Sequence, residues 1–323
     1  MDFAISCTTV TLRGFLRFPN QRLGRSTINK QPGIRSEGGL AATNSKLYLI
    51  GGDGDAMAVE IFDPATSKWT RGATAPSIIH HFQPVALGDK VFVLSAFSDR
   101  NYPNQVPLAN AYAYDTKANT WQQLAGLPES RRRGGAGAAV YKGKLYLVAG
   151  ITHGHNNGTN GMLDVYDPAT NTWTILPDAP HIRDHSTAVV VKDKLYAIGG
   201  RNTSLHDANN FMSFFDKVVL EVDCFDFKTN KWSTLDAKLP MGTGGGACVN
   251  LNDKIYYIGG ERAAGSLPNG PQKDVYYMDP EKNKQWTTGP SVNKARNGVG
   301  CAVIGNYIYI AGGASGDIGL ERL

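Results

Sequence analysis

The chain has 323 residues, of which 41% are hydrophobic and 19% charged, and its formal net charge is +5. This length suits one closed domain with a large core, and the basic residues form neither lysine runs nor alternation with aromatics, which argues against a nucleic-acid partner. We find no apolar stretch of about 18 residues and no secretory leader, so we expect a soluble protein with no membrane partner, more simply cytoplasmic than secreted.

Residues 1–20 stand apart from the rest of the chain. They contain Arg13 and Arg17 and no acid after Asp2, which faintly resembles a mitochondrial transit segment. The simpler interpretation is an N-terminal extension or an extra strand. We therefore divide the chain into this extension and a single domain at 21–323.

A hydrophobic strand that ends in a pair of small residues recurs six times in the domain. The copies are LYLIGG at 47–52, VFVLSA at 91–96, LYLVAG at 145–150, LYAIGG at 195–200, IYYIGG at 255–260 and IYIAGG at 308–313. Successive copies begin their small pairs 44, 54, 50, 60 and 53 residues apart. Periods of this size with strand-rich units predict propeller blades.

A second motif follows five of these strands and predicts a tight hairpin. It reads FDPATSKW at 62–69, YDTKANTW at 114–121, YDPATNTW at 166–173, FDFKTNKW at 225–232 and MDPEKNKQW at 278–286. Its Asp can accept a backbone N–H two residues on, and the Ser or Asn four residues later tolerates the left-handed conformation that closes a bulged hairpin. The Trp offers an apolar face for packing between blades.

With these motifs in this order, the chain resembles the kelch-repeat family over roughly residues 32–323. The resemblance implies an all-β fold, a six-bladed β-propeller with four antiparallel strands in each blade. Residues 320–323 stop one residue short of the expected Asp corner, so blade six needs a strand from elsewhere. Counting back from Pro32 assigns residues 22–30 as the N-terminal strand that closes the ring.

Arginines occupy one equivalent position before four of the inner strands, sixteen residues before the small pair. We call this position the slot; Ile79 and Thr243 hold it in blades two and five. Guanidinium groups that enter a ring from equivalent places can converge on a carboxylate or phosphate, or can instead bond loop carbonyls and hold blade to blade. The slot arginines are Arg35, Arg133, Arg183 and Arg296.

All seven histidines fall in loops of the face where these arginines enter. His153 and His155 of blade three could meet Asp184 and His185 of the adjacent blade four at the mouth. Such groups can shuttle protons or bind zinc or copper. The spacing of an HxH pair fixes no third ligand, so we predict no cofactor, with a divalent metal as the alternative. Further candidates at this mouth are Arg201, Asn202, Glu261, Arg262 and Asn297.

The loop after the small pair of blade four is the longest and carries an aromatic cluster. Exposed aromatics on a functional face line a ligand pocket or meet a partner; otherwise they fold down over a neighbouring blade. The cluster contains Phe211, Phe214 and Phe215.

The resemblance leaves two functions open, since a propeller is a scaffold for binding proteins and enzymes alike. Most kelch propellers act in recognition, so we expect the mouth to bind a protein partner or a small anionic or amphipathic ligand. The alternative is an enzyme at the same mouth, a sugar-acid epimerase or mutarotase, or an isomerase or cyclase of a hydrophobic molecule. Its proton-transfer residues would be Glu261, His185 and His155. A copper oxidase fits poorly, because Cys224, Cys248 and Cys301 fall in blade strands.

Overall fold

A computed structural model describes residues 35–264, 267–282, 285–313 and 319–323. These residues form six antiparallel blade sheets around one axis and a seventh, two-stranded sheet in a loop of blade five. Within each blade, successive blade strands are neighbours. The fold is the predicted six-bladed propeller. In the same residues, no helix is both long and apolar enough to cross a bilayer.

The blades begin at the axis and proceed outward. Blade one has strands Gly39–Thr43, Lys46–Ile50, Ala58–Asp63 and Lys68–Thr74; blade two has Val85–Leu87, Lys90–Val93, Ala111–Asp115 and Thr120–Leu124; blade three has Gly137–Tyr141, Lys144–His153, Asn157–Asp167 and Thr172–Leu176. Blade four has Thr187–Val191, Lys194–Ile198, Asp223–Asp226 and Lys231–Thr234; blade five has Ala247–Leu251, Lys254–Ile258, Val275–Met278 and Thr287–Thr288; blade six has Val299–Ile304, Tyr307–Gly312 and Glu321–Arg322.

A short hairpin and three short 3-10 helices lie in the loops of the mouth face. A small hairpin pairs Glu261–Ala264 with Leu267–Pro271 in blade five. Short 3-10 helices span Glu129–Arg131, Thr203–Leu205 and Phe211–Asp216, and the last two belong to the long loop of blade four. The predicted closing strand at 22–30 and the extension at 1–20 lie outside the described residues.

The outer hairpins form as their sequence predicts. In five blades the corner Asp accepts the backbone N–H two residues on, at 2.7–3.1 Å. Ser67, Asn119, Asn171 and Asn230 all adopt the left-handed conformation, with φ between 55° and 56°. The corner Asp and the left-handed residue of these hairpins therefore have the conformations that the repeat pattern predicts. Asn283, the fifth such residue, lies outside the described residues.

The small pair lets neighbouring blades approach at the mouth. Gly51 has φ +63°, and a Cβ on it would lie 2.1 Å from the carbonyl oxygen of Ile79 in the next blade. A Cβ on Gly51 would force blades one and two apart, which explains why this strand ends in glycine.

Hydrophobic layers between adjacent blades hold the ring together. Six buried clusters alternate with the six blades, and one of them joins Leu40, Leu47 and Phe62 of blade one to Tyr309 and Leu320 of blade six. The inner strands of blades six and one are also in contact. Burial at about 25 cal/mol per Å² makes these layers the main source of stability. Four Trp residues add an indole hydrogen bond of 2.7–3.4 Å to a carbonyl of the preceding blade: Trp121, Trp173, Trp232 and Trp286.

Candidate functional site

A ring of equivalent residues surrounds the entrance to the channel, one from each blade, two positions after the slot. All six have φ between 48° and 63°, in the left-handed region. Backbone hydrogen bonds of 2.8–3.3 Å link each blade to the preceding one, and the N–H of Glu37 donates to the carbonyl of Gly298 to close the circle. We call these residues the mouth ring: Glu37, His81, Gly135, His185, Gly245 and Gly298.

The composition of the mouth ring points to function. Glycine adopts its geometry freely in three blades, whereas the left-handed conformation costs other residues roughly 1–2 kcal/mol each. Glu37, His81 and His185 nevertheless hold the other three positions, and all three line the channel cavity. Strained residues that persist in one place are a reason to look for a function there.

Three histidines from three blades meet at this entrance. One ring nitrogen from each of His81, His155 and His185 lies within 4.8 Å of the other two. The Nε2 atoms of His155 and His185 are 2.9 Å apart. We call these three residues the histidine cluster. The rings of His155 and His185 are buried.

Each histidine of the cluster is held by its other nitrogen. His185 Nδ1 lies 2.6 Å from Asp184 Oδ1, and His155 Nδ1 lies 3.1 Å from Gln105 Oε1. His81 Nδ1 contacts His80 Nδ1, whose ring reaches the carbonyl of Asp99 through Nε2 at 2.6 Å. The orientation of the cluster is thus set by neighbours in blades two and four.

Burial keeps the cluster uncharged. It lowers the pKa of His81 and His155 well below the ordinary value of 6.5 and also lowers the pKa of His185, and neighbouring positive groups act in the same direction. For Asp184, burial alone raises the pKa, but the hydrogen bond from His185 and the charge of Arg201 outweigh it, so the pKa lies below its usual value. The site therefore contains neutral imidazoles beside a carboxylate.

Two further carboxyl groups flank the cluster on the side of blades five, six and one. Glu261 accepts a hydrogen bond from Arg201 at 3.0 Å and another from Asn297 Nδ2 at 2.7 Å. Glu37 Oε2 lies 3.6 Å from His81 Nε2. Burial, reinforced by the negative charge of Glu261, raises the pKa of Glu37 to about 8. At neutral pH this carboxyl is mostly protonated.

Aromatic side chains cover the cluster. The ring of Tyr102 from the blade-two loop lies 5.0 Å from the ring of His155 and 6.2 Å from Phe211. Phe214 and Phe215 are buried beneath, with the guanidinium of Arg201 stacked at 4.6 and 4.8 Å from their centroids. The aromatic loop of blade four thus folds down and also forms a wall of the site.

The space below the cover is small. A cavity of about 70 Å³ runs into the channel from the mouth ring. The side chain of Gln83 crosses the channel, where it accepts the N–H groups of Ala138 and Ala188 and donates to the carbonyl of Ala188. At this volume the cavity holds an ion and about two waters rather than a drug-sized molecule, which needs about 300 Å³ or more.

The slot arginines do not border this cavity, which corrects the expectation that they grip an anion at the mouth. Each guanidinium is buried within its own blade and bonds the carbonyl of the first residue of the small pair at 2.6–3.2 Å. Each also faces a carboxylate on the third strand of its blade. The pairs are Arg35 with Glu60, Arg133 with Asp164, Arg183 with Asp223 and Arg296 with Glu321. Their contacts are those of the scaffold alternative.

Three other expected site residues have contacts outside the cluster. His153 is exposed and contacts Thr152, so the HxH pair splits between the surface and the site. Asn202 is half-buried, and its N–H donates to the carbonyl of Lys217. Arg262 pairs with Gly270 in the small hairpin of blade five.

Sequence reasoning omitted several residues of the site. Glu37 and His81 were recognisable by counting two positions beyond the slot, where the other blades carry Gly or His185. Tyr102 and Gln105 lie in a loop of irregular length, so no repeat spacing marks them.

Comparison with known proteins agrees with the fold. The family model of the KLHDC2/KLHL20/DRC7 Kelch-repeats domain matches residues 177–313, and that of the Kelch motif matches residues 132–180. The solved structure of YjhT aligns with a TM-score of 0.75 at 19% identity, over 92% of this chain and 96% of its own. At this identity the likeness shows the fold alone.

Curated relatives carry the same repeats. Kelch-like protein terF of Aspergillus terreus is 28% identical over 250 residues, which are 73% of this chain and 52% of the relative. Kelch-like protein 36 of Rattus norvegicus is 26% identical over 299 residues, 90% of this chain and 46% of the relative. The chain spans about half the length of these relatives. Together with the six small pairs and the Asp corners, these matches show that the chain belongs to the kelch-repeat family.

Proposed function

We propose that the chain is a recognition module that binds a protein partner across its mouth face. The observation that carries this proposal is the exposed apolar surface of the mouth loops. Tyr102 and Val106 of blade two are 51% and 55% exposed, and Leu205 of blade four is 59% exposed. Large apolar side chains that remain in water on a functional face favour a protein contact.

The loops of blades two and four form one surface. The hydroxyl of Tyr102 lies 3.9 Å from the sulfur of Met212, and its ring meets Phe211. The 3-10 helix that carries Leu205 contacts the 3-10 helix that carries Phe211 and Met212. An aromatic anchor between flexible Met and Leu side chains suits the centre of an interface.

A small anionic ligand has less support than a protein partner. The slot arginines are engaged inside the blades, and Arg201 is paired with Glu261. The closed cavity is also several times smaller than an ordinary ligand pocket. Kelch-like relatives, which often serve in protein interaction, support the binding role in general.

Selection of displayed random peptides on the immobilised chain tests the proposal. We expect enriched peptides whose affinity falls at least tenfold in Tyr102→Ala, as for an aromatic anchor that contributes more than about 1.4 kcal/mol. Leu205→Asp should act in the same way. The matched control is Ile175→Asp, because Ile175 is 60% exposed on the outermost strand of blade three. Peptides that lose affinity only in the Ile175 variant, or no enrichment at all, would contradict a partner site at the mouth.

An enzyme at the same mouth is the second candidate, favoured by the chain of contacts from Asp184 through His185 to His155. Such a relay can move a proton under an aromatic cover. It supports an isomerase or cyclase of a hydrophobic molecule better than an epimerase or mutarotase of a sugar acid, because the slot arginines are not available to a carboxylate. Deuterium incorporation from D2O into candidate substrates, abolished in His155→Gln, would favour this enzyme.

A further inference from the structure

We propose that the histidine cluster binds one divalent transition-metal ion of the zinc and copper class. The ligands are His81, His155 and His185, from blades two, three and four. This site goes beyond the partner surface proposed above, which uses the loops that cover it. In each ring, the nitrogen that carries no hydrogen is the one that can bind the ion.

The tautomer of His185 follows from its partner. Asp184 Oδ1 accepts from the hydroxyl of Thr203, and its Oδ2 accepts from the N–H of Thr203 and the hydroxyl of Thr159, at 2.6–2.9 Å. A carboxylate that accepts through both oxygens is an acceptor for His185 as well. His185 Nδ1 therefore carries the hydrogen, and its Nε2 carries a lone pair.

In the other two rings, too, Nδ1 is hydrogen-bonded to an acceptor. Gln105 Oε1 accepts from His155 Nδ1, so His155 Nε2 has a lone pair. The carbonyl of Asp99 accepts from His80 Nε2, which leaves His80 Nδ1 as an acceptor for the Nδ1–H of His81. His81 Nε2 then has a lone pair too, and Glu37 at 3.6 Å is beyond hydrogen-bond distance.

Three neutral rings thus direct lone pairs into one buried space. The Nε2 atoms of His155 and His185 are only 2.9 Å apart, and the tautomers assigned above place no hydrogen between them. Two buried acceptors in contact are unfavourable, because neither replaces the water it has lost. A cation between them removes this conflict, and neutral imidazole nitrogen is the ligand that zinc and copper commonly take.

The surroundings match those of a metal site. A carboxylate on the far nitrogen of His185 orients the ring and raises its basicity, as second partners of ligating histidines do. The 70 Å³ cavity, which His81 and His185 help to line, gives room for a water as the fourth ligand. Zinc bound by three imidazoles at about 2.0–2.1 Å places their nitrogens about 3.3 Å apart. The cluster, whose nitrogens lie within 4.8 Å of one another, therefore contracts when the ion binds.

The strain in the mouth ring supports the same conclusion independently. His81 and His185 stand at φ 56° and 48°, in positions where other blades place glycine. Both rings are thereby brought to the channel entrance, against the cost of the left-handed conformation. A metal ion shared by these rings gives a reason for that choice in blades two and four, on either side of Gly135.

The test uses the full chain without a histidine tag, stripped with EDTA and titrated with zinc sulfate against a chromophoric chelator. We expect one Zn²⁺ per chain, and visible bands of tetrahedral cobalt when CoCl2 replaces zinc. His155→Gln should weaken zinc binding at least about 100-fold, since even second partners of ligands change affinity 10–100-fold. His81→Gly should do the same, and it introduces the residue that three equivalent blades carry.

The matched control is His153→Gln, which removes the exposed member of the same HxH pair and should bind zinc like the wild type. Circular dichroism of the metal-free variants checks that each is folded. Wild-type chain that binds less than one Zn²⁺ overturns the proposal without reference to any variant. So does equal affinity in His153→Gln and His155→Gln, or a cobalt spectrum with thiolate charge-transfer bands, because the three described cysteines are not ligands in this site.

Discussion

Arg183 and Asp223 form an ion pair with no exposed surface on either side chain and an N–O distance of 2.7 Å. The arginine belongs to the loop before the inner strand of blade four, and the aspartate begins the third strand of the same blade. The pair therefore holds the mouth loop onto its own blade. The equivalent pairs in three other blades give the scaffold a repeated internal brace.

Arg183→Ala should destabilise the chain by about 3–5 kcal/mol, because it leaves the carboxylate of Asp223 buried without its charge partner. Urea unfolding followed by tryptophan fluorescence measures this change. Arg100→Ala is the control, since its pair with Asp55 is exposed and worth about 1 kcal/mol or less. A free energy of unfolding that is equal in both variants would show that the buried brace is unimportant.

The sequence contains a pattern that indicates this brace: an acidic residue accompanies each slot arginine. Every blade with a slot arginine has an acid three positions before the corner Asp or, in blade six, before the place expected for it. The two blades without the arginine, with Ile79 and Thr243 in the slot, have Tyr112 and Tyr276 there instead. Repeat period, small pairs and hairpins were predicted because each is a local property of the chain. The direction of a guanidinium is a property of two strands together, so one strand alone could not predict it.

Gly245→Ala tests the geometry of the mouth ring. Gly245 has φ +63°, and its new Cβ would lie 3.1 Å from the backbone nitrogen of Gly298. We expect a loss of about 1–2 kcal/mol in the free energy of unfolding. Glu37→Gly should show no such loss, because glycine adopts the left-handed conformation of this equivalent position without strain. Thermal unfolding of both variants at one pH makes the comparison, and a larger loss in Glu37→Gly would refute a common ring geometry.

The histidine cluster shows where sequence reasoning stops. His155 and His185 were predicted to meet, because adjacent blades and one face follow from the repeat alone. Their partner Gln105 was not, because no repeat spacing marks its position in the loop of blade two. Irregular loops carry function without obeying the repeat, so their side chains must be seen in the structure.

Glu37 should make stability fall as pH rises. Its pKa is about 8 in the folded chain against an ordinary value of 4.5, so between these values the folded state binds more protons than the unfolded state. The contribution is present in full below pH 4.5 and is lost as pH rises towards 8. The free energy of unfolding of the wild type, minus that of Glu37→Gln, should decline by up to about 1.4 kcal/mol per pH unit between pH 5.5 and 7. A flat difference across this window would exclude a protonated Glu37.

Glu261→Gln should move that decline to lower pH. After burial, the negative charge of Glu261 is the largest cause that raises the pKa of Glu37, whereas Arg201 opposes it. The substitution removes the first effect and leaves Arg201 without the carboxylate that it contacts at 3.0 Å. Both the loss of the negative charge of Glu261 and the unpaired positive charge of Arg201 lower the pKa of Glu37.

The measurement is a double-mutant cycle over pH that compares Glu261→Gln with the variant that also carries Glu37→Gln. The difference in the free energy of unfolding between these two variants should stop declining at a lower pH than the difference between the wild type and Glu37→Gln. Lys194→Gln is the control, because Lys194 pairs with Glu281 away from the mouth and should leave the profile of Glu37 unchanged. If Glu261→Gln also leaves the profile unchanged, the two carboxyl groups do not interact across the mouth, and the raised pKa of Glu37 comes from burial alone.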